Sequence, residues 1–248
     1  MSVPAVVLAA PGTNRHVDVA DALRLAGADP TIVQLAELRA QPGLLADARI
    51  VVVAGGFSFA DATGSGRLFA LELADVLRDS LATHVAAGRL VLGICNGFQV
   101  LARLGLLPGA AGEATLAHNA SGRFECRWVT LVAEPSSVSV WTRGLADNLE
   151  CPVAHGEGRF FAAPETIARI EAGGQVALRY LGEGYPANPN GSTNAIAGVC
   201  DPTGRVLGLM PHPENHLHHW QHPRAARGEG RGNCLPVFQA GIAHAKEI

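Results

Sequence analysis

The sequence predicts an open, mostly parallel, doubly wound α/β sheet with flanking helices and an antiparallel extension in its second half. Three observations carry this expectation. Short runs rich in β-branched residues alternate with segments of helical apolar spacing through the first hundred residues. Those runs lack clear polar alternation, as strands buried on both faces require. From about residue 113 the helical segments give way to strand-like pieces separated by turn chemistry.

In chain order, "AVVLAA" (5 to 10), "PTIVQL" (30 to 35), "ARIVVVAGG" (48 to 56) and "GRLVLGI" (88 to 94) read as strands. "HVDVADALRLAGA", "GRLFALELADVLRDSLATHVAAG" and "NGFQVLARLG" read as the helices between and after them, a βαβα pattern that implies a parallel sheet. "RWVTLVA", "SVSVWT", "CPVAHGEGRFFA", "QVALRYL", "NAIAGVCD" and "RVLGLMPHPE" read as strand-like pieces, with "DPTG" (201 to 204) as a turn. "NHLHHWQHPRAARGEGRGN" (215 to 233) has no apolar period and reads as an exposed loop. "LPVFQAGIAHAKE" reads as a closing helix with Pro236 in its first turn. The expectation is a single domain spanning 1–248.

Composition excludes several classes. With 248 residues, 48% apolar and 17% charged, the chain can bury a full core, and disorder is not expected. A net charge of −3 without a long Lys/Arg run leaves no electrostatic footprint for nucleic acid or an anionic membrane. The start has no basic region before its apolar run, and no stretch approaches the roughly 20 apolar residues that would span a bilayer. A cytoplasmic protein is expected. Five widely spaced cysteines without a C-x-x-C pair point to reduced thiols, not to a disulfide framework or a thiolate zinc site.

The chemistry is read first at "GRLVLGICNGFQVLARLG". Cys95 falls where a predicted strand meets a predicted helix, with Gly93 and Gly97 around it. This G-x-C-x-G has the form of a nucleophile elbow, whose glycines relieve crowding at a sharp strand-to-helix turn. Helix N-terminal N–H groups favour an anion at such a position. Taken alone, Cys95 also fits a buried structural cysteine.

A thiol nucleophile needs a base and a group that orients the base. In "GLMPHPEN", the residues preceding prolines are biased to extended backbone, which turns His212 and Glu214 to one side. Glu214 can then hold one imidazole nitrogen while the other faces the thiol. A surface histidine beside a solvated glutamate is the alternative. Gly55-Gly56, ending another strand, offers backbone N–H groups for an oxyanion, with the Asn96 N–H as second donor. A plain turn is the competing reading of that pair.

With these pieces assembled, the chain resembles the class I, triad-type glutamine amidotransferases, whose architecture is flavodoxin-like. "GICNGFQ" and "PHPE" carry the class. "GGFSFAD", "NASGRFECRW", "HGEGRF" and "NPNGS", followed by "IAGVCDPTGRVLGLMPHPE", carry a narrower likeness to the glutaminase subunits of phosphoribosylformylglycinamidine synthase. The resemblance implies Cys95 as nucleophile, His212 as base and then acid, and Glu214 as its orienter. It implies glutamine binding by Gly55, Gly56, Phe57, Asn96, Gln99, His155 and Gly156, with Gly56 and the Asn96 amide at the oxyanion. Glutamine would be hydrolysed to glutamate, and the ammonia passed to the ATP-using large synthase subunit, which makes formylglycinamidine ribonucleotide from formylglycinamide ribonucleotide in purine synthesis. A small accessory subunit is a further implied partner. No cofactor is expected in this chain, ATP and Mg being used by the partner.

Arg123 and Arg127 are read as partner contacts or as solvated charges. His216, His218, His219 and His222 lie close in sequence, but no thiolate or carboxylate completes a ligand spacing, so no metal is expected. Alternatives within the resemblance are glutaminases serving GMP, CTP or imidazole glycerol phosphate synthesis. Outside it stand an elbow-cysteine hydrolase or chaperone and an inactive scaffold.

Overall fold

The computed structural model describes residues 2–229 and 232–248, so residues 230 and 231 of the histidine-rich segment lie outside the described residues. The parallel half is built from β1 (Val3–Ala9), α1 (His16–Leu25), β2 (Ala28–Gln34), α2 (Leu35–Ala40), β3 (Ile50–Val53), α3 (Arg67–Ala86), β4 (Leu90–Ile94) and α4 (Asn96–Arg103). Then come β5 (Ala114–His118), β6 (Glu125–Ala133), β7 (Leu149–His155), β8 (Glu157–Ala162), α5 (Pro164–Ala172), β9 (Val176–Tyr180), β10 (Ile196–Cys200), β11 (Val206–Leu209) and α6 (Leu235–Ala245).

Nine strands form one sheet in the order β2-β1-β3-β4-β11-β10-β9-β6-β7, and β5 pairs with β8 in a second, two-stranded sheet. The β1 strand lies parallel to both β2 and β3, and β3 parallel to β4. Chain order reverses at β1, so right-handed crossovers put α1 on one face and α3 on the other. Helix α1 packs against α6, and α3 against α2 and α4. Every side chain of β3 and β4 is buried, which is why their sequences show no polar alternation.

The late strand β11 joins the halves. It runs parallel to β4, pairing Leu209 with Ile94, and antiparallel to β10, pairing Gly198 with Leu209. From β10 outward every pairing is antiparallel, as expected for the second half.

Three expectations are corrected. "SVSVWT" is not a strand: the N–H of Val138 donates to Gly174 and that of Val140 to Gly204, so the segment is tied to two turns and seats Trp141 in the core. "CPVAHGEGRFFA" splits at Gly156 into β7 and β8, which belong to different sheets. In the supposed exposed loop, His216, Leu217 and His222 are buried, the two imidazoles packing edge-on against Trp128 at 4.9 and 4.6 Å between ring centroids. Helices α2 and α5 and strand β5 are additions. The six residues of α2 are too few for a visible period, whereas α5 carries Pro164 at its start and Gly173 at its end.

Candidate active site

The elbow is built by close packing. A Cβ on Gly97 would lie 1.9 Å from the Val53 carbonyl oxygen, and one on Gly93 would lie 2.7 Å from the Gly97 oxygen. Only glycine lets α4 start so close to β3 and β4. Between them Cys95 takes φ 49° and ψ −104°, a conformation that costs a non-glycine residue about 1–3 kcal/mol. Its N–H donates to the Leu209 carbonyl at 2.8 Å, so β11 helps hold the strained residue. The thiol is nearly buried, with Sγ 3.9 Å from the Ala154 carbonyl oxygen.

His212 follows β11 and is pinned by its N–H to the Pro152 carbonyl at 2.8 Å. Its Nδ1 lies 2.7 Å from Glu214 Oε1, both side chains being buried. Its ring shares the cleft wall with Cys95. The i, i+2 pairing is as expected, but the reason differs: Pro213 starts a short 3₁₀ turn, Pro213–Asn215, which swings Glu214 back onto the ring. Burial pushes the His212 pKa down, but the Glu214 charge and then Cys95 outweigh it and raise it to about 10.

Gly55 separates these groups from the sheet. A Cβ there would lie 3.0 Å from His212 Cε1 and 3.4 Å from Cys95 Cβ. Gly56 sits at φ +124°, and its Cβ would strike Asn14 Oδ1 at 2.4 Å. A side chain at Gly56 would therefore collide, whereas one at Gly55 would press on His212 and the Ile94 carbonyl, each of which would have to give by a few tenths of an ångström.

The cleft over Cys95 has a volume of about 240 Å³ and includes Gly56, Phe57, Asn96, Gln99, His155, Gly156 and His212 in its wall. Asn96 is locked by Ser58 Oγ, which donates to its Oδ1 at 2.6 Å, and by its own Nδ2 donating to Asp61 and Gln99, each at 3.2 Å. Gln99 Nε2 donates to the Glu157 carbonyl at 2.5 Å, so its amide is engaged at both ends. Phe57, half exposed, stacks on Phe124 at the cleft.

Sequence reading missed Asn14, Arg15, Asp61, Ser65, Phe124 and Glu157, all in the same wall. The signal for Asn14 and Arg15 was their place directly after β1, at the reversal of strand order. Burial raises the Asp61 pKa, assisted by the Glu157 charge, while bonds from Ser65 and Asn96 oppose the rise. Arg127 pairs with Glu125 at 2.9 Å and lies 4.6 Å over the Tyr185 ring, which makes it more than a solvated charge. Among the described residues, no three His, Cys, Asp or Glu side chains converge as metal ligands, and no helix is long and apolar enough to cross a membrane.

The elbow cysteine and the buried His–Glu pair at the carboxyl edge of the sheet suit acyl transfer through a thiol, the chemistry that glutamine amidotransferases use. The chain belongs to that class: a family model described as the CobB/CobQ-like glutamine amidotransferase domain matches residues 2–245. Its relatives there are narrower in kind. It is 44% identical to the phosphoribosylformylglycinamidine synthase subunit PurQ of Treponema denticola, over 96% of this chain and 97% of that protein. It is 39% identical to PurQ of Dehalococcoides mccartyi over 99% of both chains. A chain in the structure of PurLQS from Thermotoga maritima superposes with a TM-score of 0.77 at 31% identity, over 98% of this chain and 99% of that one.

Proposed function

We propose that this chain is the glutaminase subunit of phosphoribosylformylglycinamidine synthase, acting through Cys95, His212 and Glu214. It hydrolyses glutamine to glutamate and ammonia. The ATP-using large subunit spends the ammonia in converting formylglycinamide ribonucleotide to its amidine during purine synthesis. The family relationship supports the substrate and partner, and the 2.7 Å bond between His212 and Glu214 beside the elbow thiol carries the catalytic assignment.

With its pKa raised, the His212 imidazole already holds the triad's proton as Sγ of Cys95 attacks the side-chain amide carbonyl of glutamine. The oxyanion is received at the Asn96 N–H, which as the first helical amide has no partner within α4, and at the Gly56 strand end. On collapse His212 returns the proton to the departing nitrogen, leaving a γ-glutamyl thioester. Water, deprotonated by His212, then releases glutamate. Glu214 holds Nδ1 protonated throughout, so that Nε2 does the proton work. Gly55, Phe57, Gln99, His155 and Gly156 shape the glutamine site, Gln99 by fixing the Glu157 backbone.

No cofactor is assigned to this chain, with ATP and Mg belonging to the partner, and a small accessory subunit completes the assembly in this reading. Five free cysteines support residence in the cytoplasm. The test is Cys95→Ala in complex with the synthase. Glutamine-dependent amidine formation should fall by at least about 10³-fold, while free ammonia still supports it. Failure of ammonia to rescue would overturn this division of labour.

A further inference from the structure

Two segments that the triad leaves unused, "NASGRFECRW" and "NPNGS", converge on the link between β7 and β8. Strands β5 and β8 lose register between Ala117 and His118, and just beyond this irregularity Asn119 meets the link. Its N–H donates to the Gly156 carbonyl at 2.9 Å. Its Nδ2 donates to the carbonyls of His155 at 2.7 Å and Arg123 at 2.9 Å, while its Oδ1 accepts from the Gly158 N–H at 3.1 Å. On the other side of the same residue, Asn190 Nδ2 donates to the Gly158 carbonyl at 2.8 Å. Both asparagines are buried.

The His155 ring fills the inside of the link. A Cβ on Gly158 would come within 2.4 Å of its Cε1, and its Nδ1 lies 3.1 Å from Asn119 Oδ1. That oxygen already accepts from Gly158, so Nδ1 bears the ring proton and donates it. Asn119 thus spends both amide protons and both lone pairs of its oxygen on holding this backbone. Gly156 and Glu157 of the link stand in the cleft wall, whereas Asn119 lies outside it. The hold passes inward through Glu157, whose carbonyl accepts from Gln99 Nε2 at 2.5 Å, and Gln99 Oε1 in turn accepts from Asn96 Nδ2 at 3.2 Å. Asn96 is the residue after the nucleophile. At the near end of the link, the Ala154 carbonyl lies 3.9 Å from Cys95 Sγ.

We infer that Asn119 is a positioning residue of the reaction: by fixing the link from His155 to Gly158 it holds, through Glu157 and Gln99, the Asn96 N–H in line with the carbonyl that Cys95 attacks. The inference rests on the glutaminase reading above. An oxyanion donor helps only where it already points at the place the charge will develop, and a displacement of about 1 Å can cost about 10²-fold in rate. A donor braced by a chain of buried hydrogen bonds needs no rearrangement when the charge appears. Asn119 touches neither the substrate nor the thiol, so its effect falls on the step that develops the oxyanion and not on the intrinsic reactivity of Cys95.

The test uses the complex with the synthase in excess, with rates expressed per folded chain. Asn119→Ala should lower kcat for glutamine by about 10- to 100-fold while KM stays within about threefold. Alkylation of Cys95 by iodoacetamide, which develops no oxyanion, should stay within about twofold of wild type when read by mass spectrometry at that residue. Gln99→Met keeps the volume and removes both bonds of the relay, so it should cost a similar factor, and the double variant should lose little more than either single one. Losses that multiply, a rise in KM alone, or an unchanged kcat per folded chain would overturn the assignment. Wild type supplies a check that needs no variant: the Gly158 N–H should exchange with solvent at least about 10²-fold more slowly than in an unfolded chain, and unprotected exchange would also overturn it. A wild-type complex that makes no amidine from glutamine would overturn the glutaminase reading, and this inference with it, whatever the protection at Gly158.

Discussion

Glu214 acts on His212 twice, by geometry and by charge. Replacing it with glutamine keeps the shape but removes the charge that overcomes the burial of the ring. Glu214→Gln should cut glutaminase kcat by about 10²- to 10⁴-fold, because neither the tautomer nor the imidazolium is then secured. It should also change how stability depends on pH. In the unfolded chain His212 titrates near 6.5 and in the folded chain near 10, so the folded state binds this proton more tightly. The resulting stability is complete below pH 6.5 and drains away as pH rises through 10. The stability lead of wild type over Glu214→Gln, taken from urea midpoints, should therefore narrow steadily across that window; a constant lead would refute it. Cys95, His212 and Glu214 were legible because each is announced by neighbours in sequence, the glycines of an elbow or the prolines of P-H-P-E. Asn14, Asp61, Asn119 and Glu157 were not, since they arrive from separate loops that only the strand order brings together.

The elbow works as an element because α4 starts against bare backbone. Gly97→Ala would press a methyl group onto the Val53 carbonyl at 1.9 Å, with backbone on both sides and no side chain able to yield. The expected cost is about 3 kcal/mol or more, at or above the usual range for overpacking, with loss of activity even in the fraction that folds. Gly43 provides the contrast, with nothing within 4 Å of its Cβ position and no left-handed backbone, so Gly43→Ala should stay within about 0.5 kcal/mol of wild type. Urea denaturation of both variants decides the matter, and similar midpoints would discredit the packing account. The parallel strands were readable from sequence because burial on both faces strips them of polar residues. The second half was read less well. "SVSVWT" has strand composition yet spends its N–H groups on turns at Gly174 and Gly204, and the apolar residues of the histidine-rich segment are too few to show that Trp128 covers them.

Across the whole molecule, the two kinds of sheet meet at one late strand. Without β11 the edge of β4 would be open, the antiparallel strands would have no seat, and His212 would lack its approach to Cys95. A seam of this kind, closed by residues more than a hundred positions apart, gives neither half a complete core. The buried residues form one continuous cluster from Val3 to Ala245, crossing that seam. We therefore expect the chain to unfold as one unit across 1–248. Tryptophan emission reports on Trp128, Trp141 and Trp220, all in the second half of the chain; the one enclosed in the core, Trp141, donates its Nε1 proton to the Arg205 carbonyl at 3.1 Å. Far-UV circular dichroism reports mostly on α1, α3 and α4 in the parallel half. In urea the two signals should share a single midpoint, and the capacity of Cys95 to be labelled by a glutamine-analogue electrophile should vanish at the same concentration. Separate midpoints for emission and dichroism would show two cores and end the single-unit account. Labelling lost well before either signal would place the weak point at the β4–β11 seam, because that pairing carries the strand leading into His212 alongside the strand leading into Cys95.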